Sequence, residues 1–261
     1  MKSLSIAATG MLAQQTNVDV IANNIANMNT TAFKRFRPEF QDLLYQNLRR
    51  VGAASSDAGT IVPSGVQIGV GVKTASVYRI TEQGSLVSTG NTFDLAIQGN
   101  GYFQVTLPSG DDAYTRAGSF QLSAEGEIVS ADGFTVSPGI TVPSGAVDIS
   151  VNESGEIIVK LDGQVQPQNV GQLELVTFAN AAGLEAIGSN LLLETPASGT
   201  PSTGTPGSAG FGRIQQGFLE TSNVNAVSEI TALIAAQRAY EMNSKVISTS
   251  DEMMQTTTRM R

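Results

Sequence analysis

Two stretches, one at each end of the chain, repeat every seven residues, and this limits the fold more than any other feature. In the first 29 residues Leu4, Met11, Val18 and Ile25 share one position of the repeat, and Ala7, Gln14, Ile21 and Met28 stand three residues after each. Ala8, Gln15 and Ala22 widen the stripe. In the last 35 residues Ala226, Leu233, Tyr240, Ile247 and Met254 are seven apart, with Ile230, Gln237, Ser244 and Asp251 at the second position and Val227 and Ile234 beside them. A sustained seven-residue spacing is that of a coiled-coil seam. Ser222-Asn223 offers the second helix an N-cap, and Glu241 and Lys245 stand at i and i+4 in the favourable order. A helix with such a stripe is marginal alone and needs a partner for its apolar face. The two ends are natural partners for each other, so everything between them becomes an insertion.

The insertion has another period. From about residue 66 to 193 apolar and polar residues alternate in short runs broken by turn signals such as Gly99-Asn100-Gly101, Pro108-Ser109-Gly110, Asp132-Gly133 and Asp162-Gly163. EIIVKLDGQVQ (156–166) is the clearest hairpin, with Asp-Gly in its turn. Two low-complexity segments, 52–65 and 195–210, flank this body and read as extended or mobile rather than packed. The fold class expected is α+β: N- and C-terminal helices paired as a coiled-coil-like domain (1–33 and 220–261), an inserted antiparallel β-rich domain (96–194), and extended connections (34–95 and 195–219).

The first helix carries an unusual load of amide. Asn17 to Asn29 holds five asparagines, and apart from Asp19 no residue from Ser3 to Phe33 is charged. Asparagine competes for the backbone and is a poor helix former. A solvated face normally carries Lys and Glu, whereas an amide donates and accepts without the desolvation penalty of a buried charge. Asn17, Asn23, Asn24 and Asn27 are therefore read as polar contacts to neighbouring chains, on faces turned away from the seam.

Composition narrows the function classes. Charged residues make up only 15% of the 261, below the usual quarter, which points to surface that faces other protein. There is no Cys, His or Trp. Zinc sites built from Cys or His, and Cys–His or Ser–His–Asp nucleophiles, are thereby excluded. Residues 80–212 hold fourteen acidic and two basic side chains, Arg116 and Lys160, and the rest holds thirteen basic and nine acidic. An acidic middle repels nucleic acid and anionic membrane. No run approaches the roughly 20 apolar residues of a membrane span. Lys2 and the following LSIAATGMLA imitate a signal peptide, but the helical period runs on without a clear cleavage site, so no cleavage is expected.

The remaining motifs carry no chemistry. Gly99 and Gly101 are not followed by the third glycine of a dinucleotide loop, IGVGV (68–72) lacks it as well, and no G-K-[ST] occurs. Both glycine groups read as β-turns. Asp94 lies among apolar residues in NTFDLAIQGNGYF but has no matched second group, so no catalytic, metal or cofactor residue is assigned.

These residues carry a resemblance. SLSIAATGMLAQQTNVDVIANNIANMNTTAFKR, with its ANNIAN core, resembles the N-terminal signature of the axial proteins of the bacterial flagellum, the rod and hook subunits. DLAIQGNGYFQV, YTRAGSFQLSAEGEIVSADGFTV and GQLELVTFANAAGLEAIGSNLLLETPASG match that family's interior. QGFLETSNVNAVSEITALIAAQRAYEMNSKVISTSDEMMQ is similar to its C-terminal signature. The length and the segment 46–72 resemble the distal-rod branch more than hook or proximal-rod members. AEGEIVS departs from the family, which often has Asp before that glycine.

The resemblance implies a non-enzymatic building block of the flagellar drive shaft, in the basal body across the periplasm. Its implied partners are further copies of itself, proximal rod proteins, the hook protein, the surrounding P- and L-ring proteins and the flagellar type III export apparatus. It implies export without a cleaved signal, helices lining an inner tube, and a 46–72 segment (Arg49, Arg50, Gly59, Pro63, Gly65) bracing neighbours. The seam residues expected to carry assembly are Leu4, Met11, Val18, Ile21 and Ile25, with Ile230, Leu233, Tyr240, Ile247 and Met254. The rivals are a hook or proximal-rod paralogue, a cell-wall hydrolase using Asp94, and a secreted β-rich adhesin.

Overall fold

A computed structural model describes residues 2–49, 64–164 and 166–260. It is α+β: helix α1 (Lys2–Ala26) opens the chain, helix α2 (Ala226–Arg259) closes it, and antiparallel strands fill the interval. The chain divides into two compact units, Met1–Ala26 with Phe36–Tyr78 and Asn225–Arg261, and Asn27–Arg35 with Arg79–Val224.

In the helical unit α1 and α2 run antiparallel, bringing Ser3 beside Ser250 and Asn24 beside Glu229. The N-cap of α2 is Asn225, whose side chain accepts from the Ser228 amide at 3.1 Å, not the Ser222-Asn223 pair expected from sequence. Asn223 instead donates to the carbonyls of Ile80 and Glu82 in the other unit to which it belongs. The helical unit also holds a two-stranded ribbon, with Phe36–Asp42 against Val72–Arg79 and Tyr45–Arg49 against Val66–Gly69. Where the ribbon reaches α1, Gly71 sits at φ +130° with Thr9 so close that an added Cβ would overlap its hydroxyl.

The β unit is built on a seven-stranded sheet, ordered Glu185–Gly188, Leu191–Leu193, Asp112–Thr115, Phe103–Thr106, Thr135–Val136, Ile128–Ser130 and Phe120–Leu122. A three-stranded sheet of Ala146–Val151, Glu156–Leu161 and Gln168–Gln172 accompanies it. Period-two alternation sends Phe103 and Val105, and Ile157 and Val159, into one core with Leu95, Ile97, Leu175 and Ile214. Phe103 and Phe120 meet edge to face at 5.0 Å. The expected hairpin forms with Asp162-Gly163 in its turn, but its second strand begins only at Gln168.

The connections differ from expectation. Residues 195–219 are not a loose linker: Ser202–Gly204 pairs with Leu175–Thr177, Arg213–Gln216 with Leu95–Gln98, and Phe218–Glu220 with Leu86–Ser88. Ser198 and Pro206 are buried within it. The Gly, Ser, Thr and Pro richness of 195–210 is that of tight turns, closed by Ser198 onto Thr195 and by Ser208 onto Thr205, with Asn180 donating to the Ser198 carbonyl. Most of the segment 52–65 lies outside the described residues.

Candidate assembly interface

The contact between α1 and α2 is made one residue away from part of the expected seam. The residues at closest approach are Ser3, Gly10 and Asn24 on α1 against Ser250, Asn243 and Glu229 on α2. Ser250 Oγ donates to Ser3 Oγ at 3.4 Å, an added Cβ on Gly10 would stand 2.9 Å from Asn243 Nδ2, and Asn24 meets Glu229 at 3.1 Å. These partners keep a seven-residue step on both helices. Ala236, on the same column of α2, is buried. On α2 the second seam column is thus Glu229, Ala236, Asn243 and Ser250 rather than Ile230, Gln237, Ser244 and Asp251. Gly10, Ala236 and the two serines are small and let the backbones approach, Glu229 is held by Asn24, and one residue along a helix turns the facing direction by 100°.

The predicted apolar seam residues divide. Ile21 is buried, with Ala7 and Ala13. Leu4, Met11, Val18 and Ile25 are half-buried, as are Leu233, Ile247 and Met254, flanking the closest approach. Ile230 and Tyr240 are exposed.

The asparagines divide as well. Asn24 is 1% exposed and its amide is engaged inside the unit. Its Nδ2 donates to the Phe36 carbonyl at 2.9 Å and to Glu229, and its Oδ1 accepts from the Phe36 amide at 2.9 Å. It closes onto the first strand residue as another strand would, and joins both helices there. Asn24 is therefore withdrawn from the polar contacts to other chains. Asn17 donates to Gln14 at 3.5 Å, Asn27 accepts from Thr30 at 3.0 Å, and Asn23 lies exposed on α1.

α2 also displays exposed apolar residues in two groups, one near its start and one on the Met242 side. Val227, Ile230, Ile234, Met242, Val246 and Met253 keep between 47% and 75% of their surface exposed. Met242, Lys245, Val246, Thr249 and Met253 share a shallow hollow along the helix, with Ser250 of the pairing at its edge. On α1, Leu12 is 65% exposed beside Thr16 and Asp19, in a groove closed by Val72 and Lys73. The ribbon is likewise apolar outside, at Phe40, Leu44, Tyr45, Leu48, Val66 and Ile68. Of the expected 46–72 positions, Arg50, Gly59 and Pro63 lie outside the described residues, Arg49 pairs with Val66 through its backbone, and Gly65 is half-buried beside it.

The β unit has its own ionic centre, which sequence reading missed. Glu220, with no exposed side-chain surface, accepts from Arg116 Nε at 2.6 Å, from Lys34 Nζ at 2.5 Å and from the Gly84 amide at 2.9 Å. Arg116 also donates to the carbonyls of Ile97, Gly99 and Gly101. The Gly99-Asn100-Gly101 turn thus aims carbonyls at a guanidinium, the reverse of a phosphate cradle. Burial alone pushes the Glu220 carboxyl up, but the Arg116 charge, the Lys34 hydrogen bond and charge and the Gly84 amide together hold it below the ordinary range. Burial lowers Lys34 despite Glu220. The one available signal was Arg116 itself, a rare cation in the acidic middle. Asp94 is buried and accepts from Thr89 Oγ1 at 2.5 Å and Asn91 Nδ2 at 3.0 Å, so it organises its own turn. Among the described residues no group of acidic side chains is placed to hold a metal ion, and no helix is long and apolar enough to cross a membrane.

Comparison with known proteins agrees with this organisation. Residues 4–34 match the model of the flagella basal body rod protein family, 96–159 that of the flagellar hook protein FlgE/F/G D1 domain, and 215–260 that of the flagellar basal body rod FlgEFG protein C-terminal region. These matches define the class, a structural component of the flagellar basal body and not an enzyme. The chain is 61% identical to the flagellar basal-body rod protein FlgG of Caulobacter vibrioides over 261 residues, all of both chains. It is 50% identical to that of Agrobacterium fabrum (97% of each chain) and 41% to that of Bacillus subtilis (98% and 97%). The chain belongs to the flagellar basal-body rod protein FlgG family. A solved hook protein, FlgE2 of Helicobacter pylori, overlaps 72% of this chain and 43% of its own at 17% identity and a TM-score of 0.24, which carries no argument.

Proposed function

We propose that the chain is the self-assembling subunit of the distal rod, which carries torque from motor to hook. The carrying observation is the apolar stripe Met242–Val246–Met253, which stays about half or more exposed beside the pairing of α2 with α1. An exposed stripe of this spacing on a paired helix asks for another helix. A second copy fits: the α1 groove offers Leu12 and Thr16 to the apolar residues and Asp19 to Lys245. Asn17 and Asn23 add neutral polar contacts on the same helix, Asn27 adds one past its end, and the apolar ribbon with the 46–72 segment braces neighbouring subunits. Proximal rod, hook, P- and L-ring proteins and the type III export apparatus complete the set of partners, with export across the inner membrane uncleaved.

Val246→Asp tests this reading more cleanly than a substitution at half-buried Val18, because Val246 keeps 47% of its surface exposed. The variant is expected to keep the circular dichroism and melting curve of the parent while remaining monomeric in sedimentation where the parent polymerises. A variant that polymerises like the parent removes the stripe from the interface.

A further inference from the structure

All seven methionines of this chain lie in the two ends, at positions 1, 11, 28, 242, 253, 254 and 260, and none lies from 29 to 241. The β unit fills its core with Leu, Ile, Val and Phe instead. With no Cys, His or Trp, thioether is the most readily oxidised side chain present. Met242 and Met253 are 63% and 53% exposed, and both line the hollow of α2 with Val246 and Thr249. Met11 and Met254 are half-buried beside the helix pairing.

We propose that Met242 and Met253 form an oxidation-sensitive modification site, at which peroxide-class oxidants block addition of the subunit to a growing polymer. The inference rests on the α2 stripe being the contact between copies. A sulfur lone pair attacks one peroxide oxygen, the O–O bond breaks as the S–O bond forms, and the departing hydroxide takes a proton to leave as water. Sulfur is oxidised by two electrons and the peroxide is reduced. The product replaces a flexible apolar thioether with a polar, chiral sulfoxide. In monomer that group stays in water at no penalty, but in a helix–helix contact it is desolvated without a matched donor. The chemistry therefore acts on the free subunit and spares polymer already formed, in which the stripe is covered. Met also suits a stripe that must adapt to imperfect neighbours, which explains why an oxidisable residue stands there.

The test treats full-length monomer with graded hydrogen peroxide, lets it polymerise, separates polymer from supernatant, and maps sulfoxide in each by peptide mass. Sulfoxide at 242 and 253 should be depleted from the polymer and enriched in the supernatant, and methionine sulfoxide reductases A and B should restore the lost yield. Met242→Leu/Met253→Leu, scored against its own untreated yield, should lose its peroxide sensitivity, while Met260→Leu keeps it. Equal sulfoxide at 242 and 253 in both fractions, or undiminished sensitivity in the double variant, overturns the inference alone. Untreated protein that never polymerises overturns the assembly reading beneath it.

Discussion

Asn24 and Glu229, 205 residues apart in the chain, meet at 3.1 Å inside the helix pair, the asparagine amide also clasping both backbone groups of Phe36. A buried polar contact at one level of a helix pair selects the register in which it is satisfied. Ser3 and Ser250, their hydroxyls 3.4 Å apart, report that register three repeats away. Ser3→Cys/Ser250→Cys is expected to form its disulfide readily in otherwise native protein. Adding Asn24→Leu should slow that cross-link and cost about 1–3 kcal/mol by removing its hydrogen bonds to the Phe36 backbone and Glu229. An unchanged cross-linking rate would show that register is set elsewhere.

Glu220 stands between two cations with no water-facing surface. Glu220→Gln keeps its shape but leaves Lys34 and Arg116 facing a neutral amide. Breaking a buried pair in this way destabilises by about 3–5 kcal/mol. Urea unfolding followed by the fluorescence of Tyr102 and Tyr114, both in the β unit, should show a correspondingly lower midpoint. A shift below about 1 kcal/mol, the scale of exposed pairs, would mean that water reaches the cluster.

The same carboxyl predicts an acid limb. Its pKa in the folded chain lies below its unfolded value, so the unfolded chain takes up the proton first as pH falls. The stabilisation is complete above the ordinary carboxylate value of 4.5 and is lost as pH drops through the lower folded value. Stability of the parent should therefore fall below about pH 4.5 more steeply than that of Glu220→Gln. Parallel pH profiles for the two would remove Glu220 as the cause.

Two glycines separate close approach from backbone conformation. A Cβ at Gly118 would stand 1.6 Å from the Leu95 carbonyl oxygen, whereas at Gly110, with φ +90°, it would meet nothing within 4 Å. Gly118→Ala must push strands apart in the core and is expected to cost about 3 kcal/mol or more. Gly110→Ala, at a hairpin tip, pays only the left-handed conformation, about 1–2 kcal/mol. Thermal melts of the two variants check the order, and equal losses would contradict it.

The sequence by itself determined the two helices, their mutual pairing and the antiparallel body between them, because seven-residue and two-residue periods are local properties that each segment carries whatever surrounds it. Even there, periodicity located the apolar stripe but not the line of closest approach. Adjacent columns such as Val18 and Asn17, or Ile230 and Glu229, differ by one residue, and which one faces the partner depends on the partner's own side chains. Only the tertiary structure turned Asn24 inward, packed the turn-rich 195–219 segment into the β unit, and assembled Lys34, Arg116 and Glu220. The last two lie 104 residues apart and Lys34 and Glu220 lie 186 apart. No local pattern connects them: such a cluster exists only when distant strands share one core, where burial makes every unmatched charge costly and leaves one arrangement that satisfies all three.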